Sequence, residues 1–387
     1  MHEERPLAGI RVLDLSRLLP GPFATMVLAD LGAQVDKVED PAGGDYLRLM
    51  PPLVGSMNAT FHALNRGKRS LVLDLKRPDG REAFSRLAAR YDVLVESFRP
   101  GVMKRLGLGY DALAERNPRL VYCAITGYGQ TGPLADRAGH DLNYLARAGV
   151  LGVSGPTGGP PQVPGVQVAD VGGGALFAVA GVLAALEARH HTGRGRFVDV
   201  SMCEGALAFG LYGIGNRLAG VATPAGDDVL TGGIAPYGTY LTKDGRAVSL
   251  GALEPKFWTA FCVAVGIPPD LQALALGPHQ AEWKSRLAGI FAGRTRDAWA
   301  EFARAHDVCL EPVLDPEELP GDEQHASRGI FLEGPTGDGS FPQPRTPIAR
   351  PAAAPAPRQG EQGPAVLADA GFGPEEIAAL QAAGATR

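Results

Sequence analysis

Only four cysteines occur in 387 residues, Cys123, Cys203, Cys262 and Cys309, and no two form a CxxC pair. That scarcity excludes a disulfide framework and gives no metal site, and it fits a reducing, cytoplasmic setting. The opening MHEERPLAG lacks the basic-then-apolar order of a secretory signal, and no uncharged apolar run reaches about 18 residues, so no membrane span is expected. Positive charge is not in excess either: the formal net charge is −5, which argues against a nucleic-acid partner. A GxGxxG fingerprint is missing after the first apolar run, where LSRLLPGPFAT carries one Gly-Pro instead, which argues against a dinucleotide.

What is present is an alternation. GIRVLDLS (9–16), AQVDKVE (33–39), RSLVLDL (69–75), DVLVES (92–97) and RLVYCAIT (119–126) are short runs rich in Val, Leu and Ile, the composition of strands buried on both faces. PFATMVLADLG and DGREAFSRLAARY, between them, repeat apolar residues at helical spacing. Strand and helix in alternation imply an α/β fold: a large Rossmann-like parallel-sheet domain beginning over residues 1–200. VGGGALFAVAGVLAALEAR (171–189) is apolar nearly all round and predicts a buried helix, and residues 203–220 predict another. Residues 201–229 are thus expected as linker helices, and a hairpin about Lys243-Asp244-Gly245 opens a smaller α/β domain over 230–318. Residues 319–387, rich in Pro and Gly before a final short helix, are expected as a strap that returns to complete the large domain.

Three basic clusters, Arg66/Lys68/Arg69, Lys76/Arg77 and Arg99/Lys104/Arg105, fall at strand ends, where open α/β sheets bind ligands, and point to a small phosphorylated molecule. His140, in DRAGHDLNY, follows a strand and a loop whose Gly127, Gly129 and Gly132 let backbone approach a ligand closely, and should stand at a helix entrance. Asp170 suits a helix N-cap, but an ordinary cap does not need Gly172-Gly173-Gly174 behind it, so something must come close to that turn. A ligand oxygen placed there would meet free N–H groups and the positive end of the helix dipole. Glu254, before Pro255, reads either as helix-start decoration or, if it faces the cleft between domains, as a carboxylate orienting His140.

The blocks LLPGPFATMVLADLGAQVDKVE, ESFRPGVMKRLGLGY, GYGQTGPLADRAGHDLNYL, VADVGGGALFAVAGVLAALEAR, TGRGRFVDVSM and YLTKDGRAVSLGALEPKFW together resemble the family III CoA-transferases, and AGHD and GALEPKF resemble their α-methylacyl-CoA racemase branch. The resemblance implies an intertwined homodimer whose two domains are joined by long linkers, acting on acyl-CoA in lipid metabolism, with no cofactor beyond the CoA of the substrate and no metal. It also implies catalytic roles for His140 and Asp170, with Glu254 as partner of His140, and CoA binding by Leu73, Leu75, Lys76, Arg99 and Arg105. Two departures stand out: Asp40 occupies a place where some racemases carry an arginine, and six methionines are few for a methionine-rich acyl floor. The implied reaction is epimerisation of a 2-methylacyl-CoA through an enolate, His140 and Asp170 working on opposite faces and the Asp170 helix holding the enolate oxygen. Transfer of CoA between carboxylic acids through an acylated Asp170 is the alternative. A non-catalytic acyl-CoA-binding protein is a third.

Overall fold

In a computed structural model, which describes residues 5–221, 223–336, 339–349 and 354–387, the apolar runs become the strands of a parallel sheet. They are β1 (Arg11–Asp14), β2 (Gln34–Glu39), β3 (Arg69–Val72), β4 (Val93–Glu96) and β5 (Val121–Thr126), joined by a sixth strand that the sequence reading did not single out, β6 (Phe197–Ser201). All pairings are parallel and the spatial order is β3-β2-β1-β4-β5-β6. Register keeps the valines together, Val12 of β1 standing opposite Val35 on one side and Val93 on the other. The order reverses direction between β1 and β4, the topological switch point at which the strands' carboxyl ends leave a crevice.

The chain divides into two compact units: Met1–Ala148, Pro164–Phe209 and Pro320–Arg387 form the first, Gly149–Val163 and Gly210–Leu319 the second. Residues expected as linker helices therefore belong to the units themselves. The run expected as one helix is two, Met202–Phe209 and Leu211–Leu218, parted at Gly210. In the first unit Leu13, Phe84, Leu94 and Tyr122 share a core with Val366, Leu367 and Phe372 from the end of the chain. Part of the strap preceding them forms regular structure. Phe331–Thr336 and Gly339–Pro344 pair as an antiparallel hairpin, and a two-stranded ribbon tolerates Pro335, Pro342 and Pro344 because each strand has an unpaired edge.

Three helices of the first unit carry the site. Helix α1 (Pro20–Asp30) follows β1, α2 (Asp141–Arg147) follows the loop after β5, and α3 (Phe177–Thr192) continues a π-helix over Val168–Leu176. The segment Val168–Thr192, whose most apolar 18-residue stretch has a mean hydropathy of 1.8, is long and apolar enough to cross a membrane, whereas the sequence suggested no such span. Asp170 and Glu187 interrupt its uncharged run. Its inner face, including Val179, Val182 and Leu186, is buried, but Leu176 and Phe177 are 46% and 43% exposed, so the helix is not buried all round.

The second unit has a three-stranded antiparallel sheet of Tyr237–Leu241, Ala247–Gly251 and Leu310–Pro312, the middle segment at its centre. The expected turn is there, with Gly245 at φ +74°. Trp258, Phe261, Phe291 and Trp299 form its aromatic core.

Candidate active site

The carboxyl ends of β1, β4 and β5 open into a cavity of about 600 Å³ in the first unit, whose lining includes Leu18 after β1, Arg99 after β4, Gly127 after β5, His140 and Asp170. His140 is exposed and caps α2, as its place after a strand suggested. Its N–H donates to Asn143 Oδ1 at 3.0 Å, and its carbonyl accepts the N–H groups of Asn143 and Tyr144. The Tyr144 hydroxyl donates to the Gly139 carbonyl at 2.5 Å. A Cβ at Gly127 would stand 2.4 Å from the Tyr144 ring and one at Gly139 2.7 Å from it. Gly127 thus makes room for a tyrosine that fixes the approach to His140, where the sequence suggested room for a ligand.

Asp170 lies in the first turn of the π-helix rather than at its N-cap, which is Gln167. The three glycines behind it have a different purpose from the expected one. A Cβ on Gly172 would meet the Phe209 ring at 2.9 Å, one on Gly173 the backbone of Met202 and Ala206 at 2.6 Å, and one on Gly174 the Met202 side chain at 2.8 Å. Helix α4 (Met202–Phe209) is what comes close, and Gly205 on it faces Gly173 with equally little room. The first-turn N–H groups are not free either: those of Ala169 and Asp170 donate to Asp141 Oδ1 at 2.7 and 3.0 Å, and that of Val171 to the Gln167 carbonyl. They cannot hold a ligand oxygen as expected. Open donors are found instead at the start of α2, directly after the cavity-lining His140, where the Asp141 and Leu142 N–H groups meet no acceptor among the described residues.

Asp141 therefore ties the helix entered by His140 to the helix that carries Asp170, and sequence reasoning passed over it. The only signal was an acidic residue directly after His140. Asp170 titrates upward from 3.8 to about 6, because burial disfavours its charge and the Asp141 carboxylate adds to that, with His140 pulling the other way. Beneath the loop Ser97–Pro100, Glu96 is also raised, to about 7, chiefly by burial, while its carboxylate accepts the Phe98 N–H at 2.6 Å.

Of the residues expected to bind CoA, Arg99 lines the cavity, whereas Arg105 is exposed on the neighbouring short helix Val102–Arg105 and is not part of the lining. Leu73 is a core residue, 1% exposed, and its N–H is taken by the Glu39 carbonyl. Leu75 is partly buried against the same core. Lys76 is exposed and stands 3.6 Å from Asp40, the residue found where some racemases have an arginine. The basic cluster of Arg66, Lys68 and Arg69 is consumed internally, by Asp30, Asp14 and Asp36. Glu254 is exposed at the N-cap of Pro255–Val265 in the second unit. Among the described residues, no group of three His, Cys, Asp or Glu side chains could hold a metal.

Comparison with known proteins identifies the family. The family model for CoA-transferase family III matches residues 7–366. The chain is 38% identical to the alpha-methylacyl-CoA racemase of Homo sapiens over 96% of its own length and 95% of the relative's. It is 35% identical to the acetyl-CoA:oxalate CoA-transferase of Acetobacter aceti, over 89% and 88%. A crystal structure of a CAIB/BAIF family protein from Brucella suis superposes with a TM-score of 0.81 at 32% identity, covering 94% of this chain and 99% of that one. A family model matched over residues 7–366, with racemase and transferase relatives both aligned over most of the chain, leads to one assignment: the protein belongs to family III of the CoA-transferases.

Proposed function

We propose that this enzyme epimerises 2-methylacyl-CoA thioesters by removing and returning the α-proton. The observation that carries the reading is the upward titration of Asp170, to about 6, in the cavity it shares with His140. A carboxyl with that value is about one-tenth protonated at pH 7, so acid and base forms are both at hand. Neutral His140 takes the α-proton from one face of the substrate, and the electron pair moves into the thioester carbonyl to give an enolate. Protonated Asp170 returns a proton to the other face. The opposite epimer exchanges the two roles. We assign the enolate oxygen to the start of α2, next to the cavity-lining His140, where the N–H groups of Asp141 and Leu142 meet no acceptor among the described residues; donors of this kind contribute about 3 to 4 kcal/mol each in hydrolases.

Arg99 and Arg105 are assigned to the CoA phosphates, with Lys76, Leu75 and the backbone at Leu73 beside the nucleotide. The reading needs no cofactor beyond the CoA of the substrate. We assign Glu254 to orienting His140 across an intertwined homodimer. Support for self-association comes from exposed Leu176, Phe177, Leu207 and Phe209 in the first unit, the rings of Phe177 and Phe209 lying 5.9 Å apart.

The transferase relatives favour a second reading, in which ionised Asp170 attacks the thioester carbonyl, expels CoA thiolate and forms a mixed anhydride. A carboxyl raised to about 6 is mostly ionised at pH 7 and could act in that way, but attack on the carbonyl leaves His140, which shares the cavity, without a role. Incubating one 2-methylacyl-CoA epimer in D₂O, with and without an acceptor acid, tests the choice. Epimerisation with α-deuterium uptake and no acceptor requirement is the expected result. Acceptor-dependent CoA transfer, with hydroxylamine trapping at Asp170, would establish the transferase instead.

A further inference from the structure

Directly after β1 the chain places a leucine where L side chains are rare. Leu18 has φ +62°, one of two non-glycine residues among those described with a positive φ, and such outliers gather at functional sites when their surroundings hold them. Here the hold is ionic and buried. The Leu18 N–H donates to both carboxylate oxygens of Asp45, each at 3.2 Å. Asp45 is fully buried and stands 3.1 Å from Lys37 Nζ, itself buried. Lys37 also donates to the Ser16 carbonyl at 2.7 Å. The Ser16 N–H and hydroxyl donate to Asp14, whose other oxygen accepts Thr25 Oγ1 at 2.7 Å and Lys68 Nζ at 3.0 Å. No side chain is tolerated at Gly21 in the first turn of α1, where a Cβ would fall 2.0 Å from Ser16 Cβ.

The Leu18 N–H and Ser16, two residues before it, are thus fastened to charged groups that water does not reach. Buried ion pairs contribute little net stability, because desolvation offsets their attraction, but they can fix one conformation among several. The conformation fixed here forms wall: Leu18 and Pro20 line the cavity with His140 and Asp170, and so does Tyr46, next to Asp45. We propose that Asp45 and Lys37 are positioning residues that hold the Leu18 turn, and through it the cavity wall at the switch point, in the shape that accepts the CoA thioester. The proposal rests on the cavity being the thioester site.

The test is calorimetric binding of 2-methylbutanoyl-CoA to the full-length protein. Asp45→Asn keeps the size of the side chain but weakens its grip on Leu18 and Lys37, and the dissociation constant should rise about tenfold. Adding Leu18→Gly to Asp45→Asn should recover most of that loss, because glycine occupies the left-handed region without a clamp. Wild-type affinity in Asp45→Asn, or no recovery in the double variant, would overturn the proposal. Should Asp45→Asn fail to fold, Leu18→Val serves: it leaves the ion network intact, its β-branch disfavours positive φ, and it should weaken binding about as much, unchanged affinity again overturning the idea. A wild type that binds no acyl-CoA would refute the reading of the cavity before any variant is compared.

Discussion

Replacing Asp170 with asparagine should make the protein more stable at neutral pH while abolishing the proposed epimerisation. The carboxyl moves from 3.8 to about 6 on folding, mainly through burial. An acid raised in this way binds its proton more tightly in the folded chain, so it costs nothing below the unfolded value; the cost grows as pH climbs from there and levels off above about 6. A gap of about two units at about 1.4 kcal/mol per unit sets a ceiling of about 3 kcal/mol at pH 7. Solvent reaching Asp170 through the open cavity should reduce this to about 1–2 kcal/mol. Asparagine has no charge to desolvate, and the backbone N–H of residue 170 can still donate to Asp141. Urea unfolding of wild type and Asp170→Asn at one protomer concentration, at pH 7 and pH 4, measures the difference. The gain should appear at pH 7 and be mostly lost at pH 4. A variant no more stable than wild type at pH 7, or equally favoured at both pH values, would refute the claim that burial raises this carboxyl.

Three further expectations follow from the same geometry. The direction of epimerisation that uses Asp170 as the acid should lose rate above pH about 6, and Asp141→Asn, which removes a neighbouring negative charge, should shift that limb to lower pH; a pH–rate profile of deuterium exchange from each epimer reads both. Gly173→Ala should cost about 1–3 kcal/mol of stability by overpacking, since its Cβ would press on the Met202 carbonyl at 2.6 Å, and a melting temperature equal to wild type would contradict the helix contact. Arg105→Ala should weaken free CoA binding and flatten its salt dependence, whereas unchanged affinity at low and moderate salt would remove Arg105 from the phosphate site.

Some of this protein was legible in its residues one stretch at a time. Runs such as VLVE and VYCAIT have the composition of strands buried on both faces, and a parallel sheet follows from their alternation with helical spacing, because few other architectures bury such runs. The hairpin at Lys243–Gly245 was equally local, since a tight turn needs a residue that tolerates positive φ. His140 could be placed at a helix entrance for the same kind of reason.

What tertiary structure alone decided concerns who fills a space and who takes a hydrogen bond. Gly172, Gly173 and Gly174 announce that something approaches closely, but glycine is silent on whether the visitor is a ligand or a helix; packing brings Met202–Phe209 there. Free N–H groups at a helix start are a certainty of helix geometry, yet their acceptor is chosen by the fold, and Asp141 reaches Ala169 and Asp170 from 28 and 29 residues away. Arg66, Lys68 and Arg69 look like ligand-binding charge until Asp30, Asp14 and Asp36 are seen to neutralise them. The titration of Asp170 depends on burial and on a neighbour's charge, both properties of surroundings rather than of residue type, so no local pattern could have set it.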